Sequence, residues 1–155
     1  MNNAIPTPRQ TFTLNFSQQE IEDKIKYISD EIPIYKYLDK NDTLNSIRVE
    51  ATKSFQPQHL DIRFQNTDES TTTFEIEVSK HTGGMTNDDS SLYAKQNLDE
   101  FMGFLTKCLQ GGEITEEDKK SLKSAQNKNM IMYGVITVVI IWFFLGGGLE
   151  MAFGL

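Results

Sequence analysis

Hydrophobic and polar residues alternate in four short stretches of this chain, a pattern typical of strands that bury one face and expose the other. The first stretch is TFTLNF at 11–16, which places Phe12, Leu14 and Phe16 on one side. The apolar positions of the other three are Ile47, Val49 and Ala51, then Leu60, Ile62 and Phe64, then Phe74, Ile76 and Val78. Clean alternation predicts antiparallel strands.

Two further segments repeat apolar residues at helical spacing. The first follows Ser17-Gln18-Gln19-Glu20, a capping-box sequence, and Pro33 ends it at or before Ile32. Its apolar stripe is Ile21, Ile25, Ile28 and Ile32. The second follows a loop at 81–91, and Gly111-Gly112 stops it. Its stripe is Leu92, Leu98, Phe101, Met102, Leu105, Cys108 and Leu109.

These elements predict an α+β two-layer sandwich in the order β-α-β-β-β-α, with both helices on the apolar face of a four-stranded, mainly antiparallel sheet. Residues 34–42 fit either a short helical turn or a loop pressed on the core. The register of the last hairpin is predicted too, because a slip of one residue would turn apolar side chains to water. The expected pairs are Leu60 with Val78, Ile62 with Ile76, Phe64 with Phe74 and, on the wet face, Arg63 with Glu75.

A sheet bracketed by an early helix and a long final helix is similar in topology to lipid-binding helix-grip domains. Those domains have more strands, curved round a cavity. The similarity is one of topology alone and carries over no residues.

The longest apolar run is MIMYGVITVVIIWFFLGGGL at 130–149, twenty residues without a charge. Twenty helical residues span about 30 Å, the thickness of the hydrocarbon core of a bilayer. A buried helix of a soluble domain is usually shorter and carries a polar stripe. We therefore expect a transmembrane helix. Its anchor residues are Met130, Tyr133, Trp142, Phe143, Phe144 and Leu149.

Basic residues lie on one side of this expected span only. The juxtamembrane lysines are Lys119, Lys120, Lys123 and Lys128. Since no Lys or Arg follows the span, the positive-inside rule places the preceding residues in the cytoplasm and the tail at 150–155 on the far side. No apolar run follows a basic N-terminus, so no secretory signal peptide is expected. We expect a single-pass, tail-anchored membrane protein, with the bacterial inner membrane favoured.

The remaining chain divides into three parts. Residues 1–10 are polar and hold two prolines, so disorder is expected there. Residues 11–112 form the expected cytoplasmic domain. Residues 113–129 begin with a capping pattern at 115–118, and between Glu116 and Asn129 the only notable apolar residue is Leu122. Since a helix that is polar all round bridges through solvent, we interpret 113–129 as a stalk.

Charge and cysteine content exclude some classes of function. Residues 1–128 carry all 15 Lys and Arg and 21 of the 22 acids, a net charge of −6. This balance argues against nucleic-acid binding, which needs a basic surface. The single cysteine, Cys108, excludes an intrachain disulfide and is expected to be a buried thiol in a reducing compartment.

One cluster of residues could carry chemistry. The predicted register places His59 and His81 at the same end of the sheet, with Asp61 and Glu77 opposite each other one step along. Imidazoles and carboxylates could bind a metal or move protons. However, an open sheet face offers no pocket, so we expect neither a metal nor a catalytic site there. The glycines at 80–85 lack the spacing of a phosphate loop, and no cofactor is expected.

Three hypotheses of function follow. The leading one is a non-enzymatic, membrane-tethered module that binds another protein or serves as an accessory subunit of a membrane assembly, with the partner unidentified. The second is a carrier or sensor of a hydrophobic ligand, held in a cavity between the helices and the sheet. The third is an enzyme that uses the His59/His81 patch. The small residues Gly148 and Ala152 allow close helix approach but leave the oligomeric state open.

Overall fold

A computed structural model describes residues 8–52, 57–80 and 89–122. These ranges form five strands and two long helices, and residues 116–122 are helical as well. In chain order they are β1 (Arg9–Leu14), α1 (Gln18–Glu31), β2 (Tyr35–Asn41), β3 (Ser46–Ala51), β4 (Gln58–Thr67), β5 (Thr72–Lys80) and α2 (Asp89–Leu109). The α+β class is therefore confirmed.

The sheet has five strands in the order β1-β5-β4-β3-β2, and every neighbouring pair is antiparallel. The predicted four-stranded sheet is wrong because the ambiguous segment at 34–42 contains β2. A register shift between Tyr37 and Asp39 inserts Leu38 as an extra residue. Such a bulge moves the following side chains out of step, which conceals the period of two that identifies a strand.

The register of the β4–β5 hairpin is the predicted one. The observed pairs include Leu60 with Val78, Ile62 with Ile76, Phe64 with Phe74 and Arg63 with Glu75. The six apolar members of these pairs are buried on one sheet face, called here the core face. Because this hairpin alternates without interruption as far as Phe64, the burial of one face fixed its register.

Helix α1 has the predicted ends. The Glu20 amide donates to Ser17 Oγ at 3.3 Å, and the Ser17 amide donates to Glu20 Oε2 at 2.8 Å, which completes a capping box. The hydrogen bonds from the Ser17 side chain and backbone lower the pKa of Glu20. The helix ends at Glu31, and its cap residue Ile32 precedes Pro33. The four isoleucines of the stripe are fully buried.

Helix α2 also ends where predicted. Gly111 has φ +87°, and the amide of Gly112 donates to the Lys107 carbonyl at 2.9 Å. The amide of Gly111 donates to the Cys108 carbonyl at 3.2 Å, so the helix closes with a Schellman motif. A Cβ on Gly112 would lie 2.8 Å from Lys107 Cγ, so this turn favours glycine at two positions. Helix α2 begins at Asp89, inside the loop predicted at 81–91.

The first strand begins earlier than predicted. Strand β1 starts at Arg9, and the Pro8 carbonyl accepts from the Val78 amide at 2.9 Å. The expected disorder of 1–10 is therefore wrong at its end, because pairing with β5 holds these residues in the sheet. Residues 1–7 lie outside the described part of the chain.

Residues after α2 resume helical structure at 116. Their start carries the predicted capping pattern, in which the Thr115 amide donates to Asp118 Oδ2 at 2.7 Å. Asp118 also accepts from Lys107 Nζ at 2.6 Å, and Lys119 Nζ donates to Glu31 at 2.7 Å. These contacts lower the pKa of Asp118, chiefly through Lys107, and raise that of Lys119. The first turn of the predicted stalk is thus joined to both helices by ion pairs.

The chain separates into two compact units, Met1–Lys119 and Lys120–Leu155. The second unit is described only at 120–122, which are helical. Among the described residues, no helix combines the length and apolar character needed to cross a bilayer. The span predicted at 130–149, its six anchor residues, Lys123 and Lys128 all lie outside that part of the chain.

Candidate functional site

Arginines pair with the two carboxylates of the predicted His59/His81 patch. Asp61 lies opposite Glu77 in the β4–β5 register, as predicted. Asp61 accepts from Arg48 Nε at 2.6 Å and from Ser79 Oγ at 3.2 Å. Glu77 accepts from Arg9 at 3.0 Å. Because both carboxylates are paired with guanidinium groups across neighbouring strands, they serve the cohesion of the sheet.

Only one histidine of the predicted patch lies within the described residues. His59 is half-buried, and its Nε2 lies 3.7 Å from Glu50 Oε2 on the neighbouring strand β3. His81 lies outside the described residues. No group of three or more His, Cys, Asp or Glu side chains in the described ranges is arranged to hold a metal ion.

An apolar groove of about 690 Å³ lies between the edge strand β1 and helix α2, open to solvent. Phe12, Leu14 and Met102 supply its apolar lining. At Gly103 a Cβ would meet no atom within 4 Å, so the absent side chain leaves open space along the helix. The polar rim consists of Thr106, Lys107 and Gln110.

Strand β1 presents its backbone at the edge of the sheet. The Val78 amide donates a hydrogen bond to the Pro8 carbonyl, so Pro8 directs its backbone toward β5. In an antiparallel pair this direction alternates, so every second residue from Pro8 to Leu14 does the same. The alternate residues Arg9, Thr11 and Thr13 direct theirs outward. No other described strand pairs with this edge. The groove therefore combines an apolar surface with backbone donors and acceptors.

A first polar cluster, here the hairpin cluster, consists of Gln18, Glu22, Lys40 and Asn45, of which only Glu22 is buried. Glu22 is only 3% exposed, yet it accepts from Lys40 Nζ at 2.8 Å and from Gln18 Nε2 at 2.7 Å. Gln18 also donates to Asn45 Oδ1 at 2.7 Å. Asn45 occupies the β2–β3 turn with φ +44°. This cluster fastens the turn to α1, and its bond to Glu22 raises the pKa of Lys40.

A second buried polar cluster, here the tyrosine cluster, consists of Tyr35, Gln58 and Asn97. Asn97 Nδ2 donates to Gln58 Oε1 at 2.6 Å. Tyr35 Oη and Asn97 Oδ1 are buried and have no hydrogen-bond partner within the described part of the chain. The Tyr35 ring meets Phe101 edge-on at 5.2 Å between centroids. Burial, with a smaller contribution from Glu100, raises the pKa of Tyr35 well above its usual 10.0.

The sequence prediction missed the tyrosine cluster, although its residues left a signal. Gln58 continues the alternation of Leu60 and Ile62, and Asn97 lies one turn before Phe101 on the apolar stripe of α2. Both amides therefore fall at positions where the pattern demands an apolar side chain. Buried polar groups are normally hydrogen-bonded, so amides at such positions mark a buried polar network.

No protein-family model matches the chain. No curated protein matches it either. One solved structure that resembles it is described as a START superfamily protein from Mycobacterium smegmatis. The two share 9% sequence identity with a TM-score of 0.34, over 65% of this chain and 94% of that one. Similarity at this level says nothing about function.

Proposed function

We propose that this protein is a membrane-tethered, non-enzymatic interaction module that binds an extended segment of a partner protein between β1 and α2. The observation that carries this proposal is the open apolar groove beside the edge strand β1, whose outer side pairs with no other described strand. Side chains and backbone at this place offer complementary kinds of contact to the same partner.

A partner strand can add to β1 through main-chain hydrogen bonds. The outward amides and carbonyls of Arg9, Thr11 and Thr13 provide the donors and acceptors for it. Every second side chain of the added strand then faces the groove, where Phe12 and Leu14 favour apolar residues. Recognition by strand addition takes its affinity from the backbone and its specificity from such alternate side chains.

The open form of the groove favours a peptide over a sequestered small molecule. Small-molecule pockets bury about 70–90% of the surface of the ligand. A groove that remains open to solvent cannot do this, whereas an apolar floor with a polar rim is the usual composition of a protein interface.

The expected span at 130–149 completes the proposal, because it would hold the domain at a membrane surface. Confinement raises the local concentration of a domain relative to partners in the same membrane, so a small groove can suffice. If carbonate extraction of membranes releases the full-length protein as readily as a variant that lacks residues 130–155, the tethering part of the proposal is wrong.

Site-specific photo-crosslinking in intact membranes tests the binding part. A photoreactive residue at Thr106, on the rim of the groove, is expected to form one discrete adduct with a partner protein. The same residue at Leu44, which is 62% exposed in the β2–β3 turn, should form no such adduct. A synthetic peptide from the crosslinked segment should then bind the purified full-length protein.

The matched variant is Gly103→Leu, which adds an apolar side chain to the groove lining at a position where an added Cβ has open space. No atom lies within 4 Å of an added Cβ, and glycine inside a helix costs about 1 kcal/mol relative to alanine. We therefore expect Gly103→Leu to abolish the Thr106 adduct without lowering the unfolding temperature. An adduct that persists in this variant, or that forms equally from Leu44, would contradict the proposal.

A second candidate function is a carrier or sensor of an apolar ligand held between α2 and the sheet. The observation that favours it is the pair of buried, unpartnered polar atoms of the tyrosine cluster.

A further inference from the structure

A row of phenylalanine rings crosses the core face of the sheet and ends at its edge. Phe64 pairs with Phe74, and Phe74 pairs with Phe12, so the rings lie on the neighbouring strands β4, β5 and β1. The ring centroids are 6.0 Å apart in the first pair and 5.7 Å apart in the second. Phe64 and Phe74 are buried, whereas Phe12 is half-buried. The row therefore ends at a ring that keeps part of its apolar surface exposed in the groove.

The two edge strands of the sheet differ in how readily they accept a further strand. Strand β2 has the bulge at Leu38 and carries Lys36, Asp39 and Lys40, and bulges and charges commonly keep an edge from pairing. Strand β1 pairs with β5 without a register shift, and its one charged residue, Arg9, stands at its first position. Strand β1 is therefore the edge at which a strand can be added.

The wet face of β1 pairs with β5 through hydroxyl groups. Thr13 Oγ1 and Thr73 Oγ1 lie 2.9 Å apart and share a hydrogen bond. Thr11 lies two residues earlier on the same face, and both threonines of β1 are exposed. An added strand that places a ring opposite Phe12 and hydroxyl groups opposite Thr11 and Thr13 would repeat the contacts by which β1 already pairs with β5. The sequence of β1 itself has this pattern.

We propose that the partner segment is β1 of a second copy of this chain, paired antiparallel about a two-fold axis at Phe12; this proposal rests on the proposed function and names its partner. Thr11 of each copy then lies opposite Thr13 of the other, and each such pair exchanges both main-chain hydrogen bonds. The two Phe12 rings face each other, so the aromatic row continues from one copy into the next. Aromatic pairs across strands are favourable, and Gly103 leaves open space in the groove above them.

The pattern of β1 selects this register over its neighbours. Residues whose backbone points outward must pair with one another, so the register changes in steps of two residues and each step moves the axis by one residue. An axis at Thr11 would place Gln10 opposite the Phe12 ring. An axis at Thr13 would pair Thr11 with Asn15, which lies beyond the end of β1. The axis at Phe12 avoids both mismatches.

This register brings no like charges on the strand together. Arg9 lies opposite Asn15 of the other copy, so the run from 9 to 15 separates the two Arg9 residues by about 20 Å. This separation exceeds the Debye length of about 8 Å at physiological salt. Each Arg9 also has an acidic partner in its own copy, Glu77, at 3.0 Å.

Disulfide trapping in membranes tests the proposal with full-length protein. Two differently tagged copies are co-expressed, one with Thr11→Cys and the other with Thr13→Cys. The Cα atoms of a hydrogen-bonded pair are about 5.5 Å apart, within the range that a disulfide bridges. We expect mild oxidation to give a linked dimer that contains both tags. Because both positions are exposed, the variants should unfold at the temperature of the parent protein.

The matched controls change only the position of the cysteine. Like residues of the two copies, Thr11 with Thr11 or Thr13 with Thr13, are diagonal neighbours about 7–8 Å apart, at the limit of roughly 7 Å for a disulfide. Either variant alone should therefore give several times less dimer than the mixture. Lys36→Cys, an exposed position on the other edge strand, should give none with Thr13→Cys. The parent protein should give none either, since its one cysteine, Cys108, is buried.

The Thr106 crosslink provides a second measurement that needs no cysteine. Its adduct should have twice the mass of the chain. Thr13→Pro should abolish this adduct, because proline removes an outward amide of β1 and leaves the hydrogen bonds to β5 intact.

An absent disulfide in the mixture would overturn the second copy as partner, and so would equal yields from the mixture and the controls. A Thr106 adduct with a different protein, together with an absent disulfide, would overturn this proposal and leave the proposed function intact. Absence of both the adduct and the disulfide would overturn both, so the two failures are distinguishable.

Discussion

The two polar clusters lie at opposite ends of the sheet and differ in the pairing of their hydrogen-bonding atoms. In the hairpin cluster, each carboxylate and amide oxygen accepts a hydrogen bond. Lys40 and Gln18 donate to Glu22, and Gln18 and Asn45 donate to each other. In the tyrosine cluster, one strong bond joins two amides while a hydroxyl and a carbonyl oxygen stay unpartnered.

The difference separates structural from functional burial of polar groups. A fully paired network fixes one arrangement of the chain, and the hairpin cluster fixes the β2–β3 turn against α1. A network with unpartnered hydrogen-bonding atoms fixes one arrangement of the chain less well than apolar residues would. The two unpartnered atoms of the tyrosine cluster are the observation that favours the second candidate function, a carrier or sensor of an apolar ligand.

The largest effect is expected when the hairpin cluster loses its cation. Lys40→Met leaves the carboxylate of Glu22, 3% exposed, without its charged partner. Breaking a buried pair in this way costs about 3–5 kcal/mol, and the 36% exposure of Lys40 should reduce this to about 2–3 kcal/mol. Urea unfolding of the full-length protein in nonionic detergent measures the loss.

Lys36→Met is the control for this change, because Lys36 is an exposed lysine on the same strand. It should alter the free energy of unfolding by less than about 0.5 kcal/mol. Equal losses from the two variants would show that the buried pair has no special role in stability.

A smaller effect is expected at the turn itself. Asn45→Ala removes the amide that bonds Gln18 and places alanine at φ +44°, a left-handed conformation that asparagine tolerates better, which should cost about 2 kcal/mol. Asn45→Gly also loses the amide but adopts this conformation freely, so we expect about half that loss. If alanine and glycine destabilise equally in urea unfolding, the positive φ contributes nothing.

The smallest expected effect is on the free energy of unfolding in alkaline solution, to which each cluster contributes one titrating group. The pKa values of Tyr35 and Lys40 are both raised in the folded protein, so the unfolded chain releases these protons first. Stability from both groups is therefore complete below about pH 10 and declines as pH rises further. Tyr35→Phe should reduce this slope by at most about 1.4 kcal/mol per pH unit.

Absorbance at 295 nm gives a direct check on the same point. Of the five tyrosines, Tyr35 should remain un-ionised in the folded protein until unfolding exposes it. A full five-tyrosine titration below the unfolding transition would show that the Tyr35 hydroxyl is accessible to water, against the buried cluster described above.

Short-range patterns were sufficient for much of this fold. The capping box at Ser17, the stop at Pro33 and the Schellman glycines depend on contacts within a few residues, so local sequence specifies them. The β4–β5 register also follows from sequence, because an uninterrupted alternation has only one pairing that buries all six apolar side chains. The number of strands did not follow, since a bulged residue at Leu38 interrupts the period of β2.

The sequence by itself determined which faces are apolar, where the helices end and how the last hairpin pairs, because hydrophobic periodicity and caps act over short distances. Only the tertiary structure decided that β1 lies at an edge beside α2, that Asp61 and Glu77 are bound by arginines, that Tyr35 packs against Phe101 and that Asn97 bonds Gln58. These features join residues far apart in the chain, and no local pattern specifies which distant elements come into contact.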